Sequence, residues 1–419
     1  MSLEWIFLSP EHLSPIETIL MGVLVDMILR AFAAEQSKKE LTARQLLGIP
    51  SQNASDEKTK PNFLSDTPQF AADDFISKWQ DRYDQYIRSS IKHQRIGCTS
   101  QNIIYRQEWG SLSERSRKEY IKAVQCLQSK PPQSSKEDVP GAQSRYDDFS
   151  ATHIKVTPNV HFSGLFFHFH RYLVWLYEKA LREECGYNGY QPYWDWTLSW
   201  QDPRNSTVFN GSPTSLGSNG APIPQRNSTT ISAFGLTLEI PPATGGGCIS
   251  GPFSNYTVNL GPIAYAPYGP DHGLGYNPRC LSRDISLAWA NNTKPTGIVK
   301  LIKNSHDLGT FDTILEDIDG VHAGGHFTMG GLGLDAYASA GDPAFWLHHG
   351  MVDKVWGLWQ NLDARKRTKQ VYGTSTAFNV PPSPNVTLDT LIDFGILAPK
   401  QKVSSLVSTI DGPFCYAYI

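Results

Sequence analysis

The residues best suited to chemistry are histidines. The chain of 419 residues holds twelve, and eight fall in two short regions: His153, His161, His168 and His170, then His322, His326, His348 and His349. His12, His93, His272 and His306 lie apart from them. His322 and His326 are four residues apart, so on one helix they share a face and can hold one metal ion together. Hydrolases built on such a pair carry a glutamate after the first histidine as general base. The intervening residues here are Ala323, Gly324 and Gly325, so that chemistry loses its base. The adjacent His348 and His349 are the nearest source of a third ligand.

His161 and His170 are nine residues apart. At about 100° per residue they would face opposite sides of one continuous helix. They converge only if the chain breaks between them, and Gly164, with Ser163 as N-cap, supplies the break. His170 then sits on the following helix, His161 on the loop entering it, and His153 at the end of a preceding segment. Each region thus offers three imidazoles, a set that suits zinc, copper, nickel or iron. Two neutral triads in one fold suggest a pair of redox metals.

The elements that must position these groups read as mainly helical. Helical patterning begins near Phe70 and resumes at Ser111, where Ser111 and Glu114 form a Ser-x-x-Glu capping box. It returns over Phe311–Asp319 and Phe345–Leu362. Residues 201–280, dense in Gly, Pro, Ser and Asn, read as long loops with a few short strands. The expected fold class is therefore mainly α: a central helical bundle carries the site, and loops and a few short strands shape its mouth.

Pro50, Pro61 and Pro68 mark a linker. It divides an N-terminal segment, residues 1–66, from a main domain, residues 67–419. Ile16, Leu20, Val23 and Met27 fall at the spacing of an amphipathic helix. The uncharged run from Thr18 to Val25 is far shorter than the ~20 residues that span a bilayer. Glu4 and Glu11 precede it in place of the basic residues of a signal peptide, so the segment reads as a degenerate signal, an amphipathic helix or a plug.

Net charge is −3 with no long basic run, which gives a nucleic acid or an anionic membrane no electrostatic hold. The six cysteines form no CxxC pair, which argues against a zinc ribbon or a thioredoxin motif. They fit three disulfides of unspecified pairing, or six buried thiols. Asn53, Asn205, Asn210, Asn227, Asn255, Asn291 and Asn385 each open an N-x-[ST] triplet, which leans toward a secreted glycoprotein.

Two runs carry a family resemblance. HFSGLFFHFHRYLVWLYE, from His161 to Glu178, resembles the copper A signature of tyrosinases, and DPAFWLHHGMVD, from Asp342 to Asp353, resembles the copper B signature. YRQEWGSLSERSRKEYIKAV, YWDW at Tyr193–Trp196 and GGGCISGPF at Gly245–Phe253 extend the likeness from about residue 95 to the C-terminus. It is closest to short fungal tyrosinases and catechol oxidases.

The resemblance implies a type 3 centre of two copper ions, with His153, His161 and His170 on copper A and His322, His326 and His349 on copper B. His348 becomes a neighbour in the site wall and His168 a non-ligand. Phe345 resembles the family's aromatic gate, and Asp319, with Glu316 and Asp317 as alternatives, the carboxylate that holds a water near copper. Asp353 is placed to meet a ligand imidazole or Arg171. Tyr416 and Tyr418 resemble the family's Tyr-x-Tyr motif, and Arg106 its basic partner. Two positions depart from the pattern: Asn159 stands where many fungal members have a thioether cysteine, and Ala323 where some have an asparagine linked to monophenol deprotonation.

The implied function is oxidation of o-diphenols, o-aminophenols or a pigment or secondary-metabolite precursor to quinones by dioxygen, with little monophenol hydroxylation. The alternative is a reversible dioxygen carrier of haemocyanin type. With the sequence ending at Ile419, the long shielding domain of many fungal tyrosinases is not expected and the site is expected to be open.

Overall fold

A computed structural model describes residues 69–419; the expectations for residues 1–66 lie outside the described residues. The main helices are α1 (Gln69–Ile91), α2 (Glu114–Ser129), α3 (Arg145–Val160), α4 (Phe166–Cys185), α6 (Pro295–Asn304), α7 (Leu308–Glu316), α8 (Val321–Met329) and α9 (Ala344–Asn361). Single-turn helices α5 (Leu287–Ala290) and α10 (Ala364–Arg367) complete the set. Ten short strands pair two by two, among them β1 (Ile104–Arg106) with β10 (Tyr416–Tyr418) and β3 (Thr229–Ala233) with β4 (Leu236–Ile240). The mainly α expectation therefore holds.

α9 is the axis of the bundle. Every residue from Ala344 to Gln360 is buried, so it has no solvent face, as befits a helix enclosed on all sides. It packs against α4, α1 and α8, while α4 also lies against α2 and α3. Trp346 on α9 stacks on Tyr177 of α4, with ring centroids 3.9 Å apart, and donates its indole N–H to Tyr146 of α3 at 2.9 Å. One residue thus joins three helices by apolar area and a satisfied polar edge.

Two helix starts differ from the sequence expectation. Ser113, rather than Ser111, caps α2 by accepting the Ser116 amide, and Ser111 closes a preceding 3-10 turn. Ser163 does not cap α4, whose N-cap is Leu165 without a side-chain bond. The Ser163 hydroxyl instead donates to the Asn159 carbonyl at 2.6 Å. Gly164 does mark the break, for a steric reason: a Cβ there would collide with the Tyr372 carbonyl.

All six cysteines pair, as Cys98–Cys415, Cys126–Cys185 and Cys248–Cys280. The first ties the C-terminus to the chain before β1, beside the parallel β1–β10 pairing of Ile104 with Tyr416 and Arg106 with Tyr418.

That pairing inserts two tyrosines into a buried charge network. Asp353 on α9 receives Arg171 Nε of α4 at 2.6 Å, Tyr416 OH at 2.6 Å and Tyr418 OH at 2.7 Å. Arg106 binds Glu178 at 2.6 Å, donates to Tyr418 OH at 2.9 Å, and lies 3.8 Å from Asp353. Asp353 therefore pairs with Arg171, and the expected link between Arg106 and the Tyr-x-Tyr motif forms. Removing one member of a buried ion pair strands its partner's charge at a cost of several kcal/mol. Asp353→Asn is expected to lower stability by about 3 kcal/mol. Chemical denaturation of the metal-free protein measures it, and a loss below about 1 kcal/mol would contradict the central role of the network.

Candidate metal centre

Four helices and one helix end deliver the imidazoles. His153 lies in the middle of α3, not at its end; His161 is the residue that caps α3, and His170 is one turn into α4. His322 and His326 share a face of α8, and His348 and His349 come from α9. The ring nitrogens form two groups, His153, His161 and His170, and His322, His326, His348 and His349, in each of which they lie within 4.8 Å of one another.

Outward nitrogens set the ring orientations in the first group. Nδ1 of His153 lies 2.7 Å from the Tyr337 carbonyl, that of His170 lies 2.8 Å from the Phe166 carbonyl, and that of His161 lies 3.3 Å from the Thr157 carbonyl. A carbonyl only accepts, so each Nδ1 carries the proton and each Nε2 presents a lone pair. His153 Nε2 and His170 Nε2 are 3.4 Å apart, and His326 Nε2 and His349 Nε2 are 3.2 Å apart. Two nitrogens each ~2.0 Å from one ion at a tetrahedral angle would be ~3.3 Å apart. His322 Nε2 is buried with no protein partner at all. Buried polar atoms are normally satisfied, so this arrangement fits metal ions.

The two groups face each other. His170 and His349 stack, with centroids 4.4 Å apart and planes 12° apart, and His161 lies 6.0 Å from His322. His348 differs from its neighbours. Its Nδ1 accepts the Trp196 indole N–H at 3.1 Å, which forces the proton of the neutral ring onto Nε2. Neither nitrogen then has a lone pair for an ion. Gly325 explains the glycines of α8: a Cβ there would run into the His348 ring, and one at Gly324 would come 2.9 Å from Asn292. His168 joins neither group and packs edge-on to Trp356 at 5.3 Å.

Two sequence expectations need correction. Phe345 is fully buried, its ring 4.2 Å from His349, 5.0 Å from His153 and 5.9 Å from His326. It wedges imidazoles of both groups into place and, with no solvent face, is no gate. Asp319 is exposed, as is Asp317, so neither carboxylate reaches the interior. Glu316 is the buried one, and it accepts the amide of Phe162, next to His161, at 2.7 Å. Burial, and then the charge of Asp312 one turn earlier, push its carboxyl well above the usual range; burial raises Asp312 itself to about 7. Asn159, at the thioether position, binds the Ser375 carbonyl instead, and Ala323 is half-buried.

Sequence reading missed Phe234, at the tip of the β3–β4 hairpin. Its ring centroid lies 5.9 Å from His161, 5.1 Å from Phe162 and 5.7 Å from Tyr337. The only local signal was the Phe-Gly pair between two short β-prone runs.

Two facing groups of buried imidazoles inside a helical bundle define a binuclear metal protein. Residues 143–362 match the family model described as the common central domain of tyrosinase. Tyrosinase P of Aspergillus terreus is 43% identical over 333 residues, 77% of this chain and 93% of that protein. N-acetyl-6-hydroxytryptophan oxidase ivoB of Emericella nidulans is 36% identical over 77% of this chain and 93% of its own length. The structure of a polyphenol oxidase from Thermothelomyces thermophila, 40% identical, superposes with a TM-score of 0.77 over 83% of this chain and 97% of that one. The chain belongs to the tyrosinase family. It is a copper oxidoreductase of the type 3 class, and its cofactor is a pair of copper ions.

Burial lowers the imidazole pKa throughout, His153 to about 4 and His326 to about 3. At neutral pH both rings are uncharged and can accept an ion. In the unfolded chain histidines take up protons near pH 6.5, well before the folded rings do, so below that pH the unfolded state binds more protons. Stability contributed by the neutral rings is complete above about pH 6.5 and is lost as pH falls toward 4. The thermal midpoint of the metal-free protein should fall across this window, as calorimetry at stepped pH would show.

Proposed function

We propose that this chain oxidises o-diphenols to o-quinones with dioxygen. Its ligands would be His153, His161 and His170 for one copper and His322, His326 and His349 for the other. The observation that carries the reading is the pair of facing groups, joined by the His170–His349 stack at 4.4 Å. When bound, the copper pair supplies dioxygen activation and two-electron redox chemistry. In the overall balance two diphenols each lose two electrons and two protons, and one dioxygen becomes two waters.

The protein's part is positioning and charge. Six neutral imidazoles leave the charge of the copper ions uncompensated, which favours an anionic phenolate over the neutral phenol. Phe345 and the backbone carbonyls at Tyr337, Phe166 and Thr157 hold the rings. Glu316, whose carboxyl is displaced upward by burial and by Asp312, accepts the Phe162 amide and so sits next to the chain segment that carries His161. Ala323 offers no amide to help remove a monophenol's proton. Substrates extend to o-aminophenols and other hydroxylated aromatic precursors, a range that the relative named as a hydroxytryptophan oxidase supports.

The ligand set predicts metal content. His349→Ala should lower copper from about two ions per chain to about one, while His348→Ala should keep about two, measured by elemental analysis after dialysis. Equal losses in both variants would return His348 to the ligand list.

Activity is tested on copper-reconstituted protein. Hydrogen peroxide should raise a strong near-ultraviolet absorption band that collapses on adding catechol as quinone appears. A band that persists beside catechol would mean a dioxygen carrier, and no band despite full loading would remove the binuclear reading. Catechol should turn over far faster than phenol, and Ala323→Asn should narrow that gap by about tenfold. Equal rates on both substrates in the wild type would overturn the diphenol preference.

The chain is further proposed to enter the secretory pathway. Three disulfides support this, and the six sequon asparagines from Asn205 to Asn385 are all exposed. No helix among the described residues is long and apolar enough to cross a membrane.

A further inference from the structure

The β3–β4 hairpin is anchored at its base and aimed at the metal centre. Ile231 and Ile240 bury with Leu334, against Phe327 on the outer side of α8, and the Ser232 amide donates to the Ala264 carbonyl at 2.7 Å. Ala233 pairs with Leu236, so the turn consists of Phe234 and Gly235 alone, with φ of 55° and 77°. Both values lie in the left-handed region that such a two-residue turn demands, where asparagine, aspartate and glycine are the usual occupants. A phenylalanine there is held against its own backbone preference. Local turn chemistry does not ask for it, so its reason must lie in what the ring touches.

The ring lies over the site. Beyond His161 and Phe162 it stacks on Tyr337 with planes 16° apart, and Tyr337 is the residue whose carbonyl orients His153. Phe162 in turn stacks on Phe378 at 4.6 Å, and the Phe378 amide donates to the Phe162 carbonyl at 3.1 Å. Phe162 and Phe378 also have left-handed backbones, with φ of 48° and 51°. All four rings are half-buried, while the imidazoles behind them are almost fully buried. Strained residues gathered at one place mark a site where geometry serves function. The mouth expected to be open is therefore narrowed by an aromatic collar.

We propose that Phe234 is the specificity-determining residue of this centre: at the hairpin tip over His161, its ring admits small flat phenolic rings and turns away diphenols with bulky substituents. The inference rests on the diphenol oxidase reading above. Contacts of this size in an apolar pocket discriminate by one to two orders of magnitude.

Phe234→Asn and Phe234→Gly test it without threatening the fold, because both residues suit the turn better than phenylalanine does. Two readouts are compared on catechol and 4-tert-butylcatechol: kcat/KM of the copper-loaded enzyme, and dissociation constants on the zinc-substituted protein, which cannot turn over. In both variants the preference should shift toward the bulky diphenol by about tenfold, through KM rather than kcat and equally in zinc-protein binding, with an unchanged or higher Tm. A preference unchanged within about twofold in binding would overturn the role of Phe234. A fall in Tm with that same unchanged preference would make the ring a structural prop, which also overturns it. Wild-type enzyme that oxidises neither compound would instead sink the diphenol oxidase reading, and the zinc binding data would still decide the part played by Phe234.

Discussion

Lone pairs that converge on a common point and find no protein donor are the constraint to which this structure answers. An unsatisfied buried polar atom costs about 1–3 kcal/mol, and here several imidazole nitrogens share one interior. Repulsion and lost hydrogen bonds would spread such rings apart unless something else held them. In the first group the holding is done from the far side of each ring. Backbone carbonyls of Thr157, Phe166 and Tyr337 take the protons of the first group, and Phe345 fills the space between the two. The rings are thus oriented by protein contacts, which is what a ligand set needs in order to select geometry.

Rings can be held this way only if their helices cannot slide. α4 carries both His170 and Arg171, and α9 carries both His349 and Asp353, so the 2.6 Å contact between Arg171 and Asp353 fixes the same two helices that the His170–His349 stack joins. Tyr416 and Tyr418 complete the shell of Asp353 from the C-terminal strand, and the Cys98–Cys415 bridge keeps that strand in place. A network so buried is costly to break and specifies one helix register, a coupling that ties the chain's last residues to its metal centre.

Much of the centre was legible in the sequence. The four-residue spacing of His322 and His326 dictates a shared helix face, and the nine-residue gap between His161 and His170 demands a break, which Gly164 provides. The helical stretches lay close to where periodicity put them. The failures have a common cause. Asp319 lies only three residues before His322 and Glu316 six, yet it is Glu316 that turns inward, at the end of α7. Phe345 lies four residues before His349, which says it shares that ligand's face but not whether solvent reaches it. Ser111 and Ser163 both look like caps, and in each case a neighbouring residue took the helix start.

By itself, then, the sequence determined which residue types could bind metal, which pairs share a face and which element class carries them, because those properties repeat over a few residues. Tertiary structure alone decided how the two groups face each other and that the Trp196 N–H meets Nδ1 of His348. It alone brought a phenylalanine from an otherwise loop-rich region to stand over His161. These are contacts between segments tens to hundreds of residues apart. Their geometry is set by packing and burial, and no local periodicity encodes it.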